Sequence, residues 1–317
     1  MEKLKKIGVI VIRFAIAITI AYFIFKRLGT SWREVADSFA AAHYPTMIFG
    51  MFIIMVSFLI PAVAWRKILE EGYGVRIPYF QALILLFLPV LAKYIPGKVW
   101  FMAILAYLAK KYNINSMTAF TSVILLQACL LIASLILGLL LCDYGQGLLL
   151  SQWGAIFIAF IVLFIVNPNI LNFIIYNFLR IFRPSKRYEF PTLSGWRIIF
   201  TISMYLAGKT MVGFGIAVAA ASIYGNSMIS LFREITGAFM LAYFLGYISF
   251  FVPAGLGIRE GAMAVLLPSS MTATQKSVIS IGSRLWITIA ELAFYVFIVI
   301  LYRAKRKDFV NAEEKSK

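Results

Sequence analysis

Lys93, Lys98, Lys209, Arg259, Glu260, Arg284 and Glu291 stand inside or beside apolar runs that composition would keep free of charge. A charge at the centre of a membrane helix costs roughly 2.5 to 3.5 kcal/mol even on insertion scales, so such residues face a partner or a wet cavity. Five of the seven are basic, and that sign suits an anion. Lys98 follows Pro96-Gly97, and Arg259 follows Pro253-Ala254-Gly255-Leu256-Gly257, with Gly261 close behind. Proline and glycine interrupt a helix, and a helix that restarts presents unpaired N–H groups, where anions are favoured. A cation beside such an end makes a phosphate-binding arrangement. In a crevice open toward lipid it suits a phospholipid or polyprenyl-phosphate headgroup better than a small soluble solute. All seven charged residues are therefore candidates for headgroup binding, and Pro96, Gly97, Pro253, Gly255, Gly257 and Gly261 are the expected breaks.

Each of these residues also has a plainer reading. Lys93 and Lys98 can snorkel to the cytoplasmic interface. Arg284, Thr288 and Glu291, spaced by four and three, share one helical face, where the two charges can form a structural ion pair. Gly255-Leu256-Gly257-Ile258-Arg259-Glu260-Gly261 looks like a dinucleotide fingerprint, but it has one residue too many before the last glycine, and no strand-helix-strand pattern surrounds it.

Catalytic chemistry finds little to work with. His43 is the single histidine, so a Ser-His-Asp triad or a histidine metal motif within one chain is not expected, and its place is at headgroup level. Asp37, Asp143 and Asp308 make no metal-binding pair. Cys129 and Cys142 on one helix would lie about 20 Å apart at 1.5 Å per residue, too far to pair. The expectation is a non-enzyme with no cofactor, no catalytic residue and no metal site. The net charge of +17 does not signal nucleic acid, because the basic residues gather in short connections between apolar blocks.

The elements that must position the charged residues follow from hydropathy. A chain of 317 residues that is 62% hydrophobic and 14% charged, with apolar blocks of about twenty, is a polytopic all-α membrane protein. Full spans are expected at Ile7–Phe25, Thr46–Ala64, Ser116–Leu141, Leu148–Val166, Trp196–Ala221 and Thr274–Tyr302. The fifth, rich in glycine and alanine, belongs inside the bundle. Two further elements, Tyr79–Ala109 and Ile235–Leu267, are broken re-entrant hairpins, giving about eight hydrophobic elements. Broken backbone at membrane depth is tolerated only where protein buries it or a wet cavity receives it. Trp32, Val35 and Phe39 mark a short interfacial helix with Trp32 as its anchor, and Ile170–Phe182 lies along the membrane surface.

If each hairpin returns to the side from which it came, the segments on one side hold nineteen basic residues and those on the other five. The positive-inside rule then puts both termini in the cytoplasm. Residues 46–141 and 196–302 each read as a span, a broken hairpin and a span, running in opposite directions. Pro96 and Pro253 are 157 residues apart, and Ser116 and Thr274 are 158 apart, so the halves keep register as an inverted repeat. The whole of 1–302 is one transmembrane domain, and 303–317 is a basic cytoplasmic tail.

Pro253-Ala254-Gly255-Leu256-Gly257-Ile258-Arg259-Glu260-Gly261 resembles the signature of the flippase-like family that includes the transmembrane region of lysylphosphatidylglycerol synthases, and Pro96-Gly97-Lys98 resembles its Pro-Gly-basic turn. Ala254 stands where a glycine is common there, and the usual acidic residue after the first Pro-Gly is missing. The resemblance implies a lipid translocase that moves an anionic phospholipid or lipid-linked headgroup across the cytoplasmic membrane of a bacterium or archaeon. The alternative is a membrane component of a phosphatidylglycerol lysyltransferase or of a polyprenyl-linked glycan assembly enzyme. The expected partner is a membrane phospholipid or polyprenyl-phosphate lipid, and both a lipid-modifying enzyme and a second copy of the chain remain open as partners.

Overall fold

The computed structural model describes residues 32–90, 99–142, 193–249 and 257–315, together with Gly255 and parts of 167–177. The first and fourth expected spans, Lys93, Lys98 and the breaks at Pro96, Gly97 and Pro253 lie outside the described residues, as does the Trp32 side chain. What is described is helical: α1 (Trp32–Ala40), α2 (Tyr44–Ser57), α3 (Ile60–Tyr73), α4 (Tyr79–Phe87), α5 (Val99–Lys111), α6 (Ser116–Leu141), α7 (Gly195–Tyr224), α8 (Ser227–Ser230), α9 (Phe232–Ile248), α10 (Ile258–Leu266) and α11 (Ala273–Lys315). Four stretches are long and apolar enough to cross a membrane: Tyr44–Tyr73, Ser116–Leu141, Gly195–Tyr224 and Ala273–Arg303. Between the first and second of them lie the shorter helices α4 and α5, and between the third and fourth lie α9 and α10, with the single turn α8 before them.

Two boundaries differ from the sequence expectation. The span expected at Thr46–Ala64 runs from Tyr44 to Tyr73 in two pieces, α2 and α3. Pro61 has no N–H for the helix ladder, and Phe58 and Leu59 turn back to the carbonyls of Met55 and Val56 instead. The last helix, α11, likewise runs past the expected end of its span at Tyr302, to Lys315.

The fifth expected span, α7, lies inside the bundle. Of its most apolar 18-residue window 61% is buried, against 22% for the last span. Small residues make this possible. A Cβ added at Gly50 of α2 would sit 2.6 Å from the Gly215 carbonyl oxygen of α7, so only glycines allow these two backbones to meet. The same device brings in α9, since a Cβ at Gly213 would collide with Thr236 and one at Gly237 with the backbone of Leu141 and Cys142. Helix α9 is thereby wedged against both α6 and α7.

Two apolar cores result, one around Trp65, Leu85, Leu105 and Leu125, the other around Ile216, Phe239, Met263 and Trp286. Trp65 Nε1–H donates to Ser122 Oγ at 2.9 Å, so its buried polar atom is satisfied. Helix α1 docks with Val35 buried and Phe39 5.9 Å from the Trp286 ring. His43 precedes α2, where its backbone N–H donates to the Ser222 carbonyl at 2.8 Å and its ring meets Thr46 Oγ1. Cys129 and Cys142 are buried thiols that form no disulfide with each other. Arg197 at the start of α7 forms an ion pair with Glu71 at the end of α3.

Candidate functional site

Helix α9 ends at Ile248, and the chain must reverse to begin α10 at Ile258. Gly255 and Gly257 adopt φ of +66° and +81°, a region where a side chain is strained. Gly255 also crosses close over α9, where a Cβ would lie 2.8 Å from the Gly246 carbonyl oxygen. Gly246 in turn leaves room for Arg259, whose Cβ would be 3.2 Å from any Cβ at that position. Three glycines therefore let the start of α10 fold back onto α9 and carry Arg259 with it.

Arg259 then lies against the aromatic face of α9. Its guanidinium carbon is 4.5 Å from the Phe239 ring centroid and 5.0 Å from that of Tyr243. Phe239, Tyr243 and Tyr247 form a ladder at four-residue spacing, with centroids 6.4 and 6.3 Å apart. Lys209 of α7 reaches the same ladder, its Nζ 4.6 Å from the Tyr243 centroid. Stacking on rings stabilises a desolvated cation by about 2 kcal/mol or more, but it supplies no hydrogen-bond acceptor. Among the described residues, Arg259 Nε is buried without one.

Glu260 has a different task. Its Oε2 accepts the Gly257 N–H at 2.6 Å, which caps α10, and its Oε1 accepts from Arg284 Nη1 of α11, also at 2.6 Å. Glu260 is 5% exposed and the Arg284 side chain 21%, so this ion pair is shielded from solvent. Arg284 therefore has Glu260 as an ion-pair partner, a neighbour the spacing to Glu291 does not reveal. Arg284, Thr288 and Glu291 do share one half-buried face of α11, while Leu285, Ile289, Leu292, Val296 and Ile300 beside it are exposed.

Gly261 is not a break. Because Glu260 caps the helix at Gly257, Gly261 already belongs to the α10 ladder, and its N–H donates to the Gly257 carbonyl at 2.9 Å. The cap also means that the Gly257 N–H is already taken by a carboxylate of the chain itself. The anion-seeking character of the turn rests on Arg259 more than on that backbone group.

Of the candidate residues, the structure gathers Lys209, Arg259, Glu260 and Arg284 around the α9–α10 turn, and Glu291 lies within electrostatic range of Arg259. The model for the lysylphosphatidylglycerol synthase TM region matches residues 10–304. The chain belongs to that family. No curated protein matches the chain. The match spans all four long helices and both pairs of shorter ones, so the α9–α10 turn with its cations is part of the lysylphosphatidylglycerol synthase TM region in this chain. Phe239, Tyr243 and Gly246 are functional candidates that the charge pattern did not reveal. Their four-residue aromatic spacing was readable, but the same spacing marks any aromatic stripe along one face of a helix.

Proposed function

We propose that this chain is a lipid translocase that moves an anionic phospholipid or lipid-linked headgroup across the cytoplasmic membrane. The observation that carries the reading is the sharing of the Tyr243 ring by two cations, Lys209 and Arg259, with the Arg259 Nε buried and without an acceptor among the described residues. Like charges brought together in a low-dielectric interior repel, and a phosphate between or beside them relieves that cost while filling the free donor. Family membership ties the fold to membrane-lipid biology, and the two pairs of short helices fit a site built at broken helices between inverted halves that alternate access. In this reading both termini face the cytoplasm, and the chain carries out no bond-making step itself.

A second reading follows from the family's description. The chain would then serve as the membrane part of a lipid-modifying enzyme such as a phosphatidylglycerol lysyltransferase, with the catalytic step carried out outside these residues. Both readings require the turn to hold lipid. Mass spectrometry of lipid co-purifying with wild-type protein and with Arg259→Gln tests that requirement. Enrichment of anionic lipid on the wild type and its loss in the variant are expected, and identical lipid profiles would remove the basis for either reading.

A further inference from the structure

The turn gathers charges of both signs, and their balance is itself informative. Lys209, Arg259 and Arg284 supply three positive charges, and Glu260 and Glu291 supply two negative ones. The geometry makes them one electrostatic unit. Glu260 and Arg284 are in direct contact at 2.6 Å, Lys209 and Arg259 share the Tyr243 ring, and Glu291 stands within electrostatic range of Arg259 and Tyr243. Phe239, which the Arg259 guanidinium faces, and Met263, one turn further along α10, are buried, while Lys209, Arg284 and Glu291 are half-buried. Net charge in such surroundings is unfavourable, because little water is present to screen it.

From this balance we infer that Glu260 and Glu291 set the valence of the ligand, so that the site selects a phosphodiester carrying one negative charge over a phosphomonoester carrying two. The described cluster has a net charge of +1, and a single phosphodiester charge neutralises it. A dianion would leave an uncompensated negative charge beside two carboxylates. Arg259 is the group that meets the phosphate, since its Nε has no acceptor among the described residues. Glu260 is committed to Gly257 and Arg284 and acts by occupying Arg284. The carboxylates are thus specificity-determining residues that need not touch the ligand. This inference rests on the lipid-binding reading above and adds the charge of the headgroup to it.

Native mass spectrometry of the full chain in detergent, titrated at pH 8, provides the test. The probes are phosphatidylglycerol, a lipid phosphodiester; phosphatidic acid, a lipid phosphomonoester that carries nearly two charges at that pH; and glycerophosphoglycerol, the water-soluble phosphodiester. Wild type should bind phosphatidylglycerol about tenfold more tightly than phosphatidic acid. Glu291→Gln, which raises the cluster to +2 without touching the cap of α10, should narrow or reverse that ratio. Lys209→Gln, which lowers the cluster to zero, should weaken phosphatidylglycerol binding. Weak binding of glycerophosphoglycerol identifies the phosphodiester as a lipid headgroup, whereas equal binding identifies a soluble one. Equal affinity of wild type for the two lipids, or a ratio that Glu291→Gln leaves unchanged, overturns the inference while lipid binding itself stands. Absence of binding to either anionic lipid overturns the lipid-binding reading together with it.

Discussion

Glu260 joins two helices at once, holding Arg284 of α11 through Oε1 and the Gly257 N–H of α10 through Oε2, each at 2.6 Å. The turn into α10 is therefore fastened to the last long helix by one carboxylate. Removing one partner of a shielded ion pair leaves the other charge buried, at a cost of roughly 3 to 5 kcal/mol, whereas replacing both partners by neutral groups is often tolerated. Glu260→Gln should thus lower the thermal unfolding midpoint clearly, and Glu260→Gln with Arg284→Met should recover part of the loss. A double variant less stable than Glu260→Gln alone would show that Arg284 has a more important partner than Glu260.

Close helix contact supports the site from a distance. A Cβ at Gly50 would meet backbone atoms of both Gly215 and Ala219, at 2.6 and 2.7 Å, so Gly50→Ala has to separate α2 from α7. At Gly74 the same substitution meets open space and carries only the strain of φ +66°, about 1 kcal/mol. Gly50→Ala should therefore be the more destabilising of the two in thermal unfolding. Equal effects would mean that α2 and α7 approach less closely than described.

These two cases show where the sequence was legible. Hydropathy located the four described spans, and the Gly and Ala content of Trp196–Ala221 placed α7 inside, because lipid-compatible length and small residues are local properties. Pro61 was equally visible, yet its effect depends on whether flanking turns can carry the chain onward, and here they link α2 and α3 into one long stretch. The candidate charges were legible as anomalies. Their pairing was not, since Glu260 and Arg284 are 24 residues apart and meet only because α10 packs on α11. Gly261 looks like a breaker in sequence because three glycines in seven residues look alike, and the cap at Gly257 decides which of them is helical.

Membrane orientation offers an independent check. Cys129 and Cys142 are both buried, so labelling of introduced cysteines should carry little background. Ser270→Cys should react with an impermeant thiol reagent added to intact cells, and Lys111→Cys should react only after permeabilisation. Both native residues are exposed on the protein surface, so accessibility reports sidedness. Reaction of Lys111→Cys in intact cells would rule out the inverted halves and the cytoplasmic termini.

The aromatic ladder should act through its ring and not through its hydroxyl. Tyr243→Phe keeps a face for both Lys209 and Arg259, while Tyr243→Leu removes it. A cation–ring contact contributes about 0.5 to 2 kcal/mol, which corresponds to a loss of about two- to thirty-fold in anionic-lipid affinity for Tyr243→Leu. Tyr243→Phe should stay near wild type in the same titration. Equal loss in both variants would assign the effect to the hydroxyl.

The most direct test of translocation is a leaflet-specific headgroup assay on purified protein in sealed vesicles containing labelled phosphatidylglycerol. Wild type should equilibrate the label between leaflets faster than protein-free vesicles. Arg259→Gln, which keeps side-chain length and donors but removes the charge, should lose most of that rate, and Arg259→Lys should fall between them because it keeps the charge without the planar fork. Translocation by folded Arg259→Gln at the wild-type rate, or no translocation by the wild type, would contradict a lipid translocase that works through the cations at the α9–α10 turn.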